Sequence, residues 1–406
     1  MPEAVIVAAT RSPIGRANKG SLVDMRPDDL AAQVVEAALA QVPELDRNQV
    51  EDLIMGCGQP AGEAGYNVGR VVAILAGMPD VPGTTVNRYC SSSLQTTRMA
   101  MHAIKAGEGD IFISAGVETV SRFMIGMSDG APGSTNGLFN DAMARTAARR
   151  EGGAETWAPP AGLPDVYIAM GQTAENVAEL EGVGREEMDE FAALSQQRAT
   201  ASLENGFWED EITPVETTDA EGNPLTVTRD DGIRAGTTAE GLANLKPVFR
   251  PDGKVTAGNA CPLNDGAAAV VVMSDTKAKE LGLTPLARVV SSGVTGLNPE
   301  IMGMGPVEAS RQALERAGMT IDDIDLVEIN EAFAAQVIPS AKHLGISWDK
   351  LNVNGGGIAV GHPFGMTGAR IMTTLIHGLQ KDDKTFGLET MCVGGGQGMA
   401  MIIERL

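Results

Sequence analysis

Three stretches from the first third of the chain recur in the last third at nearly constant spacing. Asp52-Leu53-Ile54 precedes Asp325-Leu326-Val327 by 273 residues, and Ser93-Leu94 to His102 precedes Thr367-Gly368-Ala369 to His377 by 274 to 275. Ile111 to Gly116 precedes Phe386 to Met391 by 275. Constant order and spacing imply a duplicated domain. Within the first copy, Ala4 to Ala9 reads as a short buried strand. Pro27 opens a helix with Leu30, Val34, Val35 and Ala38 on one face, and Asp28 and Asp29 stand in its favoured first turn. Val50 to Cys57 reads as a strand, Tyr66 to Gly77 as a helix and Asp110 to Gly116 as a further strand. In the second copy Pro306 opens a helix carrying Val307, Ser310, Leu314 and Ala317, and Asp325 to Ile329 is a strand. Such alternation implies right-handed crossovers and a largely parallel α/β sheet.

Different material separates the copies. Ser121 to Pro164 is rich in Gly, Ala, Pro and Met, has no clear period, and reads as a long surface excursion. Thr173 to Leu180 and Glu186 to Asn205 read as helices, and Val215 to Arg229 as a polar hairpin with Asn223-Pro224 near its turn. Lys254 to Ser274 then returns a strand, Ala267 to Met273, to the first copy. The expected division is 1–121 plus 251–275 for the first half, 122–250 for an inserted cap, and 276–406 for the second half.

One stretch stands out for its chemistry. Val86 to Tyr89 reads as the end of a strand, and Cys90 opens a helix with Leu94, Met99, Met101 and Ile104, closed by Gly107. A thiol on the first turn of a helix meets unpaired N–H groups and the positive end of the dipole, which favour a thiolate. The flanking serines suit a cap. A lone cysteine is ordinarily a small buried hydrophobe, but three C-terminal stretches change that reading. Asn330-Glu331-Ala332-Phe333-Ala334 directly follows a strand, and Asn354 to Pro363 puts His362 in a glycine-rich loop before a helix. Cys392-Val393-Gly394-Gly395-Gly396 puts a second thiol at a strand end. If the halves pack about a pseudo-twofold axis, these ends converge near Cys90. The set then contains a nucleophile, a base, a second acid/base and oxyanion donors, which is the equipment of acyl transfer.

Charge and cysteine usage narrow the partners. A formal charge of −22 argues against nucleic acid and anionic membrane surfaces, and 4% aromatic residues leave little for base stacking. No apolar run approaches the roughly 18 residues of a membrane span. The four cysteines (Cys57, Cys90, Cys261, Cys392) form no C-x-x-C pair and no metal-ligand spacing with the four histidines. Sparse thiols and an N-terminus that runs straight into a strand lead us to expect a soluble cytoplasmic protein without bound metal.

On Asn87-Arg88-Tyr89-Cys90, Asn330 to Ala334, Asn354-Gly355-Gly356 with Gly361-His362-Pro363, and Cys392 to Gly396, the chain resembles the thiolase family (acetyl-CoA C-acyltransferases). The resemblance runs from Ala4 to Leu406 and weakens between Phe123 and Tyr167. It implies two βαβαβαββ halves in a five-layered αβαβα body with an inserted loop domain. It implies thiolytic cleavage of 3-ketoacyl-CoA, reversible as a Claisen condensation, with coenzyme A as substrate and no permanently bound cofactor. Cys90 would be acylated and His362 would take its proton, together lowering the thiol pKa with the helix dipole. Cys392 would move the α-proton. Asn330, through a bound water, and His362 would hold one thioester oxygen, and the N–H groups of Cys90 and Gly394 the other. Arg234 matches a position near the adenine, Ala257, Ala260 and Phe333 match pantetheine contacts, and Met170 and Met302 line the pocket. The family also suggests a homodimer or homotetramer, a place in fatty-acid β-oxidation, and a hydratase/dehydrogenase partner subunit.

The chain departs from the family pattern at Ser91-Ser92-Ser93 (commonly Ala-Ser-Gly), Tyr89 (commonly smaller) and Ala260-Cys261-Pro262 (commonly Ala-Ser-Gly). Ala169 replaces a histidine of biosynthetic members, and Gly241 a serine. Cys57 and Cys261 read as structural. Two alternatives accompany this reading: a condensing enzyme of the same fold, such as a ketoacyl synthase, and a catalytically silent structural subunit. The second thiol in its glycine-rich setting distinguishes a thiolase from the first, and the intact catalytic positions from the second.

Overall fold

Both copies run through the same succession of elements. The structure is a computed structural model and describes residues 2–125, 129, 131–153, 155–219 and 221–406. The first copy comprises β1 (Ala4–Arg11), the two-residue β2 (Gly15–Arg16), α1 (Pro27–Ala40), β3 (Asp52–Gly56), α2 (Val68–Leu75), β4 (Gly83–Val86), α3 (Ser92–Ala106) and β5 (Ile111–Thr119). The connection carries α4 (Asn140–Arg150), α5 (Met170–Leu180), α6 (Arg185–Glu204), the hairpin β6 (Val215–Thr218) and β7 (Pro224–Val227), and α7 (Ala239–Ala243). Then β8 (Asn264–Ser274) returns to the first sheet and α8 (Asp275–Leu281) leaves it. The second copy runs β9 (Ala287–Gly296), α9 (Gly305–Ala317), β10 (Leu326–Ile329), α10 (Ala334–Leu344), α11 (Thr367–Lys381), β11 (Phe386–Val393) and β12 (Gln397–Arg405).

Strand pairing repeats as well. The first sheet has the order β4-β3-β5-β8-β1, with β3 parallel to both neighbours and β8 antiparallel to both of its own. In the second, β10-β11-β12-β9 follows the same pattern, and the counterpart of β4 shrinks to a single bridge, Val327 to Leu351. Strands β1 and β9 pair at Val5–Arg288 and Ile6–Ala287, so the two sheets join edge to edge.

Apolar faces stack these elements into αβαβα. Leu30 and Val34 of α1 and Val72 of α2 pack on Leu53 and Val271 at one outer face. Val307 of α9 and Val337 of α10 pack on Val327, Leu388 and Ile402 at the other. Between the sheets, Leu94 and Ile104 of α3 and Ile371 and Leu375 of α11 meet Ile6, Val270, Met391 and Ile403. Strand β8 is buried at every residue. Each fully buried valine there stabilises the fold by roughly 1.5–3 kcal/mol. The central helices cross almost backbone to backbone: a Cβ on Gly368 would stand 2.3 Å from the Leu94 nitrogen, and Ala369 N–H donates to Ser93 Oγ at 2.9 Å.

Several expectations shift. The second helix starts at Val68 rather than Tyr66, because Asn67 is left-handed (φ 54°) and Tyr66 is exposed. The stretch 121–164 contains the unexpected helix α4, in which only Ala142 is buried, so it carries no apolar stripe to detect. Residues 126–128, 130 and 154 of that stretch lie outside the described residues. Strand β4 ends at Val86, and one 3-10 turn, Tyr89–Ser91, separates it from α3, whose C-terminus is closed by Gly107 in the left-handed region as expected. Among the described residues no helix is long and apolar enough to cross a membrane.

Candidate active site

Cys90 sits within the 3-10 turn, and the turn is braced from all sides. Asn87 Oδ1 accepts the Tyr89 N–H at 2.8 Å, which steadies Tyr89 in a left-handed conformation (φ 42°). Ser92 Oγ donates to the Tyr89 carbonyl (2.6 Å) and accepts the Arg88 N–H (3.0 Å), while Ser91 Oγ donates to the Arg88 carbonyl (3.2 Å). The serines therefore brace the turn instead of capping α3, which has no side-chain cap. Arg88 ties the turn to the second copy, donating through Nε to Gln95 Oε1 (3.1 Å) and through Nη1 to Gln397 Oε1 (2.7 Å).

The backbone N–H groups of Gly394 and of Cys90 itself favour its thiolate, but burial is the larger influence and pushes the thiol up to about 12. This corrects the expectation of a lowered pKa. The site is covered by the other half of the molecule, so desolvation outweighs the donors, and the thiol is neutral at rest. Among the described residues no hydrogen bond joins the sulfur to His362.

Two strand ends and one loop of the second copy close on this turn. Asn330 follows β10 directly; its N–H donates to the Thr390 carbonyl (3.0 Å), and Gln336 Nε2 donates to its own carbonyl (2.6 Å). Its side-chain Nδ2 lies 3.3 Å from His362 Nε2, while Oδ1 is buried without a hydrogen-bond partner. That orphaned acceptor suits a bound water. His362 is positioned by its own N–H, which donates to Asn264 Oδ1 (3.0 Å), by Thr367 Oγ1 at 2.7 Å from Nδ1, and by the Phe364 ring edge-on at 5.2 Å. Burial, with the Arg370 charge assisting, pulls the imidazole down to about 3, so it too is neutral. Gly361 permits this loop: it has φ 116°, and a Cβ there would stand 2.7 Å from Ile14.

Two buried carboxylates hold the loop. Glu331 accepts from Ser195 Oγ (2.6 Å), Asn352 Nδ2 (2.8 Å) and Ile358 N–H (3.1 Å). Glu118 accepts from Gly58 N–H (2.7 Å), Gln59 N–H (3.1 Å) and Gly365 N–H (2.8 Å), and burial raises it to about 7.

Cys392 lies at the end of β11 opposite Gly398, fully buried. Burial pushes its thiol up, and the nearby Cys90 and Cys261 add to the shift. Cys261, read from sequence as structural, is therefore close to both catalytic candidates; its N–H donates to the Ala332 carbonyl at 3.0 Å. Ala260, Phe333, Met302 and Cys392 share one buried cluster with Met170 at its edge, and Phe249 meets Phe333 edge-on at 6.2 Å. Arg234 and Ala257 are exposed and stand outside that cluster, with Arg234 N–H donating to Gln196 Oε1 at 2.8 Å. Sequence reasoning missed Asn264, Glu118 and Thr367. No local signal singled out the first two: β5 and β8 carry other polar residues, Ser114 and Thr119 in one and Asp265 and Ser274 in the other.

Comparison with known proteins gives the family and the fold. The family model described as thiolase, N-terminal domain, matches residues 4–276, and that of the thiolase C-terminal domain matches 283–405. A 3-ketoacyl-CoA thiolase of Aeromonas salmonicida is 45% identical and a beta-ketoadipyl-CoA thiolase of Acinetobacter baylyi 44%, each over 100% of both chains. A 3-ketoacyl-CoA thiolase of Bacillus subtilis is also 44% identical over the full length of both. Among solved structures, the Bacillus anthracis acetyl-CoA acetyltransferase superposes with a TM-score of 0.86 at 39% identity, covering 100% of this chain and 99% of that one.

Proposed function

Because this chain belongs to the thiolase family, we propose that it cleaves 3-ketoacyl-CoA with coenzyme A, giving acetyl-CoA and a shortened acyl-CoA through an acyl-enzyme on Cys90. It is an acyltransferase acting on CoA thioesters. The observation that carries the assignment of Cys90 is its place in the turn that opens α3, where the backbone N–H groups of Cys90 and Gly394 favour its thiolate. The same donors would serve the oxyanion that forms one bond away when the sulfur attacks a carbonyl.

The steps balance as follows. Cys90 sulfur attacks the 3-keto carbon and its proton passes to His362. The C2–C3 bond breaks, and Cys392 protonates the departing acetyl-CoA enolate, whose oxygen faces His362 and the water held by Asn330. Coenzyme A then attacks the acyl-sulfur bond, Cys392 takes its thiol proton, and His362 returns the first proton to Cys90. Because burial keeps both thiol and imidazole neutral at rest, the proton moves as the attack proceeds, when the N–H donors offset the developing charge. Ala257, Ala260 and Phe333 would meet the pantetheine, Met170 and Met302 would line the pocket, and Arg234 would meet the adenine end. Assembly as a homodimer or homotetramer, work in fatty-acid β-oxidation and a cytoplasmic setting belong to the same proposal.

Intact mass after brief incubation with a panel of 3-ketoacyl-CoAs tests it. Acyl adducts on the wild type and none on Cys90→Ala are expected, and the best-labelling chain identifies the acyl preference. Folded wild type that takes up no acyl group from any of them would overturn the assignment in favour of a silent subunit.

A further inference from the structure

We propose that Thr367, the first residue of α11, is a positioning residue that places the proton of His362 on Nδ1 and so leaves Nε2 bare to act as the base. The inference rests on the reading of His362 as the base for Cys90.

It follows from the polarity of one chain of hydrogen bonds. The Pro363 carbonyl can only accept. Thr367 Oγ1 lies 2.7 Å from it, the contact that a threonine makes four residues back along a helix. A hydroxyl has a single proton. With that proton given to Pro363, Oγ1 can only accept from its other neighbour, His362 Nδ1, also at 2.7 Å. Nδ1 therefore carries hydrogen. The buried imidazole is neutral, so it has no second proton for Nε2. Asn330 Nδ2 lies 3.3 Å from Nε2 and 3.5 Å from Nδ1, nearly equidistant from the two nitrogens, so it does not tie up the Nε2 lone pair.

The opposite arrangement is worse at the Pro363 link: Thr367 donating to Nδ1 would leave the Pro363 carbonyl with only the Met366 N–H at 3.2 Å. Thr367 and His362 are 0% and 1% exposed, so solvent cannot exchange the two arrangements cheaply. The consequence is chemical: only a nitrogen with a lone pair can receive the Cys90 proton, and the tautomer with hydrogen on Nε2 cannot.

The test combines spectroscopy and kinetics on the full chain. The protein has four histidines, so 15N-histidine labelling with His362→Asn as the assignment control resolves the one of interest. At neutral pH His362 should show the neutral form protonated on Nδ1. Thr367→Val, which keeps the β-branched shape, should mix the tautomers and lower kcat by roughly 10- to 100-fold with KM unchanged; Thr367→Ser should restore both. A wild-type ring protonated on Nε2 overturns the proposal, and that measurement stands even if Thr367→Val does not fold. So does a folded Thr367→Val with wild-type tautomer and kcat. Failure of the underlying reading looks different: His362→Asn would then acylate Cys90 at the wild-type rate, whatever the tautomer.

Discussion

Replacing Glu331 by Gln should loosen the catalytic loop without touching any substrate. Its buried carboxylate accepts three hydrogen bonds, and every partner is a donor: Ser195 Oγ and Ile358 N–H on Oε2, and Asn352 Nδ2 on Oε1. Ser195 Oγ in turn accepts the Gly356 N–H at 3.1 Å, so the network spans the glycine-rich loop from Asn352 to Ile358. Glutamine keeps one oxygen. If that oxygen takes the Oε2 place, the new NH2 group confronts Asn352 Nδ2 and one bond is lost; the reverse orientation loses two. A hydrogen bond to a charged group contributes about 1.5–3 kcal/mol, and a stranded buried donor costs about 1–3 kcal/mol. Against this, burial penalises the charged carboxyl and raises its pKa, so removing the charge recovers part of the loss. The net expectation is a destabilisation of about 2–3 kcal/mol, read from urea unfolding, together with a lower kcat because the loop runs on to His362. In a Ser195→Ala background the Gln substitution should cost less, since one of its donors is already gone. Unfolding free energy within about 0.5 kcal/mol of wild type, with kcat unchanged, would refute the reasoning.

Gly368→Ala should destabilise the centre of the molecule by about 3 kcal/mol or more, because the new methyl meets the Leu94 backbone at 2.3 Å rather than a side chain that can turn aside; an unchanged melting temperature contradicts the close crossing. Cys392→Ala should still accept an acyl group on Cys90 but lose exchange of the acetyl-CoA methyl protons into D2O by on the order of 10²-fold or more, and retained exchange would assign the proton transfer elsewhere. Stability should fall as pH rises from 4.5 through 7 and 8, because burial raises Glu118 to about 7 and Glu328 to about 8, and the native state holds protons that the unfolded chain releases. Glu328→Gln should flatten that slope by up to about 1.4 kcal/mol per pH unit. His362 acts in the opposite sense: its depressed pKa gives stability that is present above 6.5 and lost as pH falls toward 3.

What could be read from the sequence was what is encoded locally. Short strand-like runs mark Asn330 and Cys392 as strand ends, the second followed by Gly394-Gly395-Gly396, and Pro27, Pro306 and Gly107 mark helix ends whatever packs beside them. Helix α4 escaped because all but one of its residues are on or near the surface, leaving propensity and capping as its only signals. The Cys90 pKa was misjudged for a related reason. Dipole and capping arguments use only neighbours along the chain, whereas the desolvation that dominates comes from the second copy folding over the turn. Cys261 and Glu118 belong to the same class: Glu118 reaches Gly365 across 247 residues, and nothing near either residue announces the contact.

The duplication explains both why the groups meet and why the site is not symmetric. Turns Tyr89–Ser91 and Phe364–Met366 lead into α3 and α11, two helices of 15 residues that cross at the centre. At that spacing of 275, Asn87 corresponds to His362 and Val117 to Cys392; at the 273 spacing of the preceding strands, Cys57 corresponds to Asn330. In the proposed mechanism the first copy supplies the nucleophile, and the second supplies the base, the carboxamide and the second thiol. The corresponding residues of the first copy do structural work: Asn87 holds Tyr89 in its left-handed turn, and Cys57 lies 3.7 Å from the Glu118 carboxylate that anchors Gly365. Close contact across the axis makes the division possible, since a Cβ on Gly116 would stand 2.2 Å from the Gly365 carbonyl oxygen. With backbone that close, side chains from one copy reach the strand ends of the other. On that proposal a single copy would have a nucleophile without a base or a base without a nucleophile, so the chemistry needs the paired halves.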